Sequence, residues 1–212
     1  MVDEIQFLYE EKGREYFFFT DELFTHNPKR IEDICNRLIE KGLNEKIRWR
    51  TFARVDDVAK DKIDLALMKK AGMNGIFYGI ESMNPITLQE LKKGTTPEQN
   101  IKAIEDANKN NIDVWGSLMI GYPWESEQEL RKSLETYLDI ARDGEIKHTY
   151  TAFITPFPGT PFHNKYKHLI IDPDYLMSDC FRPILDTPID KEILTEIYNG
   201  FLEKIKKQED KE

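Results

Sequence analysis

Short apolar runs alternate with amphipathic helical segments along most of this chain, and that rhythm limits the folds open to it more than any other feature. Five runs read as strands, at 16–20, 47–52, 75–80, 114–120 and 149–154. The first, YFFFT, is almost wholly apolar, which suits a strand covered on both faces. The segments between runs are roughly a dozen residues or longer and carry helical periodicity, so parallel crossovers fit and tight antiparallel hairpins do not.

The helix signals agree with this order. A first helix over 3–11 ends at Gly13 and precedes the first strand, so the series opens on a helix and reads as cut at the front. Asn27 and Pro28 start a helix with an apolar stripe through Ile31, Ile34, Cys35, Leu38 and Ile39, and Gly42 stops it. Asp61 is expected to cap a helix carrying Ile63, Leu67 and Ala71 that stops at Gly72. Asn84 and Pro85 suggest a short extra helix, while Thr96-Pro97 with Gln99 and Ser126 with Glu129 have the spacing of capping boxes. Beyond Pro156 the chain reads as Pro-containing loop as far as Pro188. A last helix then carries Ile193, Leu194, Ile197, Phe201, Leu202 and Ile205, and 206–212 frays into solvent. The expected organisation is a core over 1–168 and a carboxyl-terminal extension over 169–212.

Composition narrows the function classes. The 212 residues include 39 acidic and 30 basic ones, a formal charge of −9, which gives no broad footprint for a nucleic-acid backbone. No apolar run approaches the roughly 20 residues that span a bilayer, and the start, MVDEIQFLYEEKG, is acidic where a signal peptide is basic, so the cytoplasm is the expected location. Cys35 and Cys180 form no short-range metal motif, and two thiolates cannot supply the usual four ligands of an iron–sulfur cluster. The four histidines show no compact zinc spacing. Asp56 and Asp57, being adjacent, point apart and make a poor acid/base pair.

In parallel α/β proteins, ligands bind beyond the carboxyl ends of the strands. Glu81 and Ser82 end the third run. The carboxylate can accept hydrogen bonds from a small ligand or pair with Arg54 on the neighbouring strand, and Ser82 can accompany it or cap a turn. Gly116-Ser117-Leu118-Met119-Ile120-Gly121-Tyr122-Pro123 lets a ligand approach the backbone, with Ser117 facing either the ligand or a neighbouring strand. Neither a P-loop nor a GxGxxG fingerprint is present. The loop 156–161 is either a rigid rim or a plain strand exit.

Five segments in order, YFFFTDELFTHNP, IRWRTFARVD, GIFYGIESMNPITLQELKKGTT, VWGSLMIGYPWESEQEL and YTAFITPFPGTPFH, resemble the second to sixth barrel strands of the radical S-adenosylmethionine family. The likeness covers about residues 3–168 and is greatest to the branch with an upstream cobalamin-binding domain. It implies a partial (βα)6 TIM-like barrel lacking its first strand and cluster loop. It also implies a 4Fe–4S cluster that cleaves S-adenosylmethionine to a 5′-deoxyadenosyl radical, with cobalamin-dependent methyl transfer in some relatives. By this resemblance Glu81 and Ser82 lie near the methionine or ribose portion and Lys93 near the methionyl carboxylate. Ser117 faces the ribose, Ile120 and Gly121 lie beside adenine, and Arg54 is a further cofactor or substrate contact.

The family's CxxxCxxC loop follows its first strand, and this sequence resembles the family only from the helix after that loop. The expectation is therefore an amino-terminally truncated fragment, inactive alone, that acts on a small-molecule substrate once a complementing polypeptide or domain supplies the cluster. The alternatives are half of a split active enzyme, or a scaffold or S-adenosylmethionine-binding remnant. No residue is assigned a catalytic or metal-ligating role. The strand at 16–20 is expected to present an open edge, with weak autonomous stability, pairing with another chain, or aggregation as the consequence.

Overall fold

The computed structural model describes residues 1–22, 24–142, 144–172, 174–177 and 180–209. Its sheet has five strands in the order of the sequence: β1 (Tyr16–Phe19), β2 (Arg48–Ala53), β3 (Met73–Glu81), β4 (Asp113–Ile120) and β5 (His148–Phe153). β1 pairs parallel with β2, and β2 with β3, through a register irregularity at Trp49/Arg50. Sequential parallel strands joined through helices give the topology of a partial βα barrel, the class read from the sequence.

The helices fall largely where their signals lie. α1 (Val2–Lys12) ends on Gly13 at φ 61, a left-handed cap that glycine adopts without strain. α2 (Pro28–Glu40) is capped by Asn27, whose Oδ1 accepts the Arg30 N–H. Between β2 and β3 there are two short helices, α3 (Val55–Ala59) and α4 (Leu65–Lys70). Asp64 is the cap of α4, accepting from the Leu67 N–H, while Asp61 stands at φ 53 in the preceding turn, so the expected cap is displaced by three residues. α5 (Pro85–Glu90) and α6 (Pro97–Lys109) connect β3 to β4, α7 (Glu127–Arg142) connects β4 to β5, and α8 (Pro161–Tyr166) interrupts the region read as loop. Thr160 caps α8 through the His163 N–H. α9 (Lys191–Glu209) is the terminal helix; the fraying expected for 206–212 is not seen as far as Glu209, and 210–212 lie outside the described residues.

Packing divides the chain into two interleaved units, one formed by 1–79, 98–116 and 145–148, the other by 80–97, 117–144 and 149–212. In the first, Trp49 is fully buried, stacks on Phe19 at 5.0 Å and donates its Nε1–H to the Ala71 carbonyl at 2.9 Å. That bond satisfies the one polar atom of a large ring that would otherwise be costly to bury. In the second, Tyr122, Ile154, Tyr175, Ile184 and Leu185 form an apolar cluster, and α9 buries Leu194, Ile197, Tyr198, Phe201 and Ile205. No helix among the described residues is long and apolar enough to cross a membrane.

Candidate functional site

The second unit gathers six of the seven residues singled out from the sequence. Glu81, the last residue of β3, stands at φ 65, an uncommon conformation for a residue with a side chain. The turn after α5, with Lys92 at φ 52 and Gly94 at φ 75, returns Lys93 to Glu81, and Lys93 Nζ donates to Glu81 Oε1 at 2.7 Å. The two side chains are only 15% (Glu81) and 22% (Lys93) exposed, so the pair is screened less than a surface bridge. The partner of Glu81 is thus Lys93.

Ser82 is 3% exposed, and its hydroxyl faces the protein. Its Oγ accepts the Asn84 N–H at 2.9 Å and lies 3.2 Å from Ser133 Oγ on α7, which in turn accepts the Met83 N–H at 2.9 Å. A second bond system binds the loops after β3 and β4. Glu125 Oε1 accepts from Thr87 Oγ1 at 3.0 Å and from Asn84 Nδ2 at 3.2 Å, and Trp124 Nε1 donates to Thr87 Oγ1 at 3.3 Å. Burial of Glu125, at 2% exposure, pushes its carboxyl above the usual range, while the Thr87 and Asn84 hydrogen bonds pull the other way.

Ser117 is half-buried on β4 and lines a cavity of about 610 Å³ together with Glu81, Met119, Tyr150 and Cys180. The side chain of Ile120 is buried, and its carbonyl accepts the Ile154 N–H at 2.9 Å. Gly121 has φ 83, and a Cβ there would lie 3.4 Å from both Leu194 Cδ2 and Phe153 Cδ1, so a side chain would be strained and crowded at once. Tyr122 follows, with a hydroxyl that is buried and has no hydrogen-bond partner among the described residues. The loop 156–161 packs by its far end, where Phe162 lies 6.0 Å from the Trp124 ring.

Arg54, the seventh residue, belongs to the first unit. It precedes α3 and donates Nε–H to Asp56 Oδ1 at 2.8 Å. Burial alone would raise the Asp56 carboxyl, but Arg54, Lys62 and Lys60 together hold it below the usual range. Asp57 accepts from Thr25 Oγ1 at 3.0 Å and Lys62 Nζ at 3.1 Å, and it shares Lys62 with Asp56, whose Oδ2 lies 3.7 Å from the same ammonium.

These residues do not fit an iron–sulfur cluster. Cys35 is buried in α2, where burial, then the Asp64 charge, pushes its thiol up to about 12. Cys180, in the other unit, accepts a hydrogen bond from Thr155 Oγ1 at 3.3 Å. Among the described residues no group of three or more His, Cys, Asp or Glu is placed to hold a metal ion.

Sequence reasoning missed Glu125. The only local signal was an acidic residue in the loop after β4, with nothing nearby in sequence to show that Asn84 and Thr87 converge on the carboxylate.

The chain is 34% identical over 160 residues to an uncharacterised methyltransferase of Pyrococcus horikoshii, covering 76% of this chain and 33% of that protein. It is 30% identical over 185 residues to the anaerobic magnesium-protoporphyrin IX monomethyl ester cyclase of Cereibacter sphaeroides, covering 87% of this chain and 30% of the relative. The chain therefore spans about a third of the length of these curated relatives. The fold is similar to that of the radical S-adenosylmethionine methyltransferase TsrM from Kitasatospora setae, solved with cobalamin and a 4Fe–4S cluster bound, at a TM-score of 0.64 and 17% identity over 79% of this chain and 33% of that one. The model of the Radical SAM superfamily matches residues 1–137, most of the sequence, and the chain belongs to that superfamily.

Proposed function

We propose that this chain forms the S-adenosylmethionine-binding side of a radical S-adenosylmethionine enzyme whose cluster ligands lie outside these 212 residues. The observation that carries the reading is the sheltered Glu81–Lys93 pair beside the Ser117 cavity. A methionyl group carries an ammonium and a carboxylate, and a carboxylate and an ammonium 2.7 Å apart offer the complementary charges in one place. Ser117 and the backbone at Ile120 and Gly121 then face the adenosyl part, Ser82 and Glu125 hold the loop behind Glu81, and Arg54 contacts cofactor or substrate. In this reading the cavity walls shelter the sulfonium from water, and the Glu81 carboxylate orients its ligand. The chemistry supplied by the bound ligand is an adenosyl radical or a transferable methyl group, and a small-molecule substrate accepts it.

Support for the methyl-transfer branch comes from relatives named as methyltransferases and from the cobalamin-bound TsrM structure. The lack of a CxxxCxxC motif favours a chain that binds S-adenosylmethionine without cleaving it unless another segment or polypeptide brings the cluster. Calorimetry on the 212-residue chain should show saturable S-adenosylmethionine binding that weakens about tenfold or more in Glu81→Gln, the effect of removing one charge-assisted contact. Anaerobic iron–sulfur reconstitution of the same sample should yield no cluster. Equal affinity in Glu81→Gln would sink the site, and a bound 4Fe–4S cluster with cleavage activity would sink the division of labour.

A further inference from the structure

Arg50 on β2 is placed unlike the other arginines. At least six of those pair with a carboxylate, as expected in a chain where acidic groups outnumber basic ones. The Arg50 side chain makes no hydrogen bond or ion pair among the described residues, and its contacts are with rings. Its guanidinium lies 3.9 Å from the centroid of Trp115 on β4 and 5.0 Å from that of Phe18 on β1, and the Trp115 ring meets His148 edge-on at 5.2 Å.

The backbone makes this arrangement possible. Phe18 and Arg50 are partners in the β1/β2 register, and Arg50 and Gly75 in the β2/β3 register. Trp115 stands one strand beyond β3. Gly75 leaves the intervening position without a side chain, so Arg50 can reach across it to the indole. A guanidinium is weakly hydrated on its faces and carries its N–H donors around its edge. Rings take the faces here, while the edge of this half-buried residue has no acceptor among the described residues. Rings hold the orientation of the fork, so a ligand that bonds to it loses little side-chain freedom on binding.

We propose that Arg50 is a recognition point for a small-molecule anion presenting two oxygens on one edge, a carboxylate or a phosphate, held by paired hydrogen bonds from the guanidinium and flanked by Phe18 and Trp115. This site is independent of the Glu81 reading and survives its failure. The test is a titration of the 212-residue chain with sodium phosphate and, separately, sodium succinate, at ionic strength held constant with chloride. Melting temperature and tryptophan fluorescence are followed in the wild type, Arg50→Gln and Arg50→Lys. A saturable response to at least one anion is expected. It should be lost in Arg50→Gln and weakened about tenfold in Arg50→Lys, which keeps the charge but not the fork. A response to phosphate alone assigns a phosphate ligand, and one to succinate alone a carboxylate; each supports the site. No saturable response to either anion, or an undiminished response in Arg50→Gln, overturns it. Should the variants fail to fold, the Arg50 Nε–H resonance of the wild type decides: it shifts on titration if the proposal holds and stays fixed if it does not.

Discussion

The two strands at the ends of the sheet order, β1 and β5, solve the same problem differently. Each has one neighbour in the sheet and so one row of backbone groups without a ladder partner. Side chains and loop cover that row on β5. Glu209 Oε1 accepts the Thr149 N–H at 3.1 Å, Tyr198 donates its hydroxyl to the Thr151 carbonyl at 3.3 Å, and the Phe153 N–H donates to the Cys180 carbonyl at 2.8 Å. β1 has rings instead: Tyr16 is 77% exposed and Phe18 39%. Among the described residues the outer row of β1 thus has no such cap, while that of β5 is closed by the terminal helix and the loop at Cys180. An unsatisfied strand edge is stable only until another strand arrives, whereas a capped edge stays closed as long as its cap is folded.

That contrast can be broken most severely at α9. Phe201 is almost fully buried and packs against Tyr137, with ring centroids 6.1 Å apart. Phe201→Ala should cost about 3–5 kcal/mol in denaturant unfolding and should speed alkylation of Cys180 well before that of Cys35, which is buried in α2. If the two thiols accelerate together, or neither does, closure of β5 does not depend on α9. At the other edge, Tyr16→Lys places a charge on an exposed position of β1 and should raise the concentration at which the chain self-associates by about tenfold, read by sedimentation velocity. Unchanged association would mean that the open edge is inert. The smallest effect is expected at Gly200, inside α9, where an added Cβ would meet nothing within 4 Å. Gly200→Ala should stabilise the helix by about 0.5–1 kcal/mol and slow Cys180 labelling modestly. A loss of stability there would show that the position is not the open helix surface its surroundings describe.

What was legible in the sequence was what local chemistry decides. The five strands and the terminal helix follow from period and punctuation, and the Ser126–Glu129 box closes as its spacing predicts, with the Ser126 N–H donating to Glu129 Oε2 at 2.9 Å. The displaced cap of α4 shows the limit of local reading. Asp61 and Asp64 both precede apolar residues at plausible spacing, and only the left-handed turn at Asp61 selects the second. The end of β3 was legible as a polar site, but its charge partner was not. Finding Lys93 as that partner requires the path of the chain through α5 and the turn after it. Glu125 stayed hidden for the same reason, since its donors come from two positions of a different loop.

The φ of Glu81 carries a further consequence. A left-handed residue with a Cβ costs about 1–3 kcal/mol, and glycine is the one residue that sits there freely. Backbone conformation alone would therefore favour glycine here, while the ion pair with Lys93 favours the carboxylate. At this position the backbone and the charge ask for different residues, so the carboxylate is held against the preference of its own main chain.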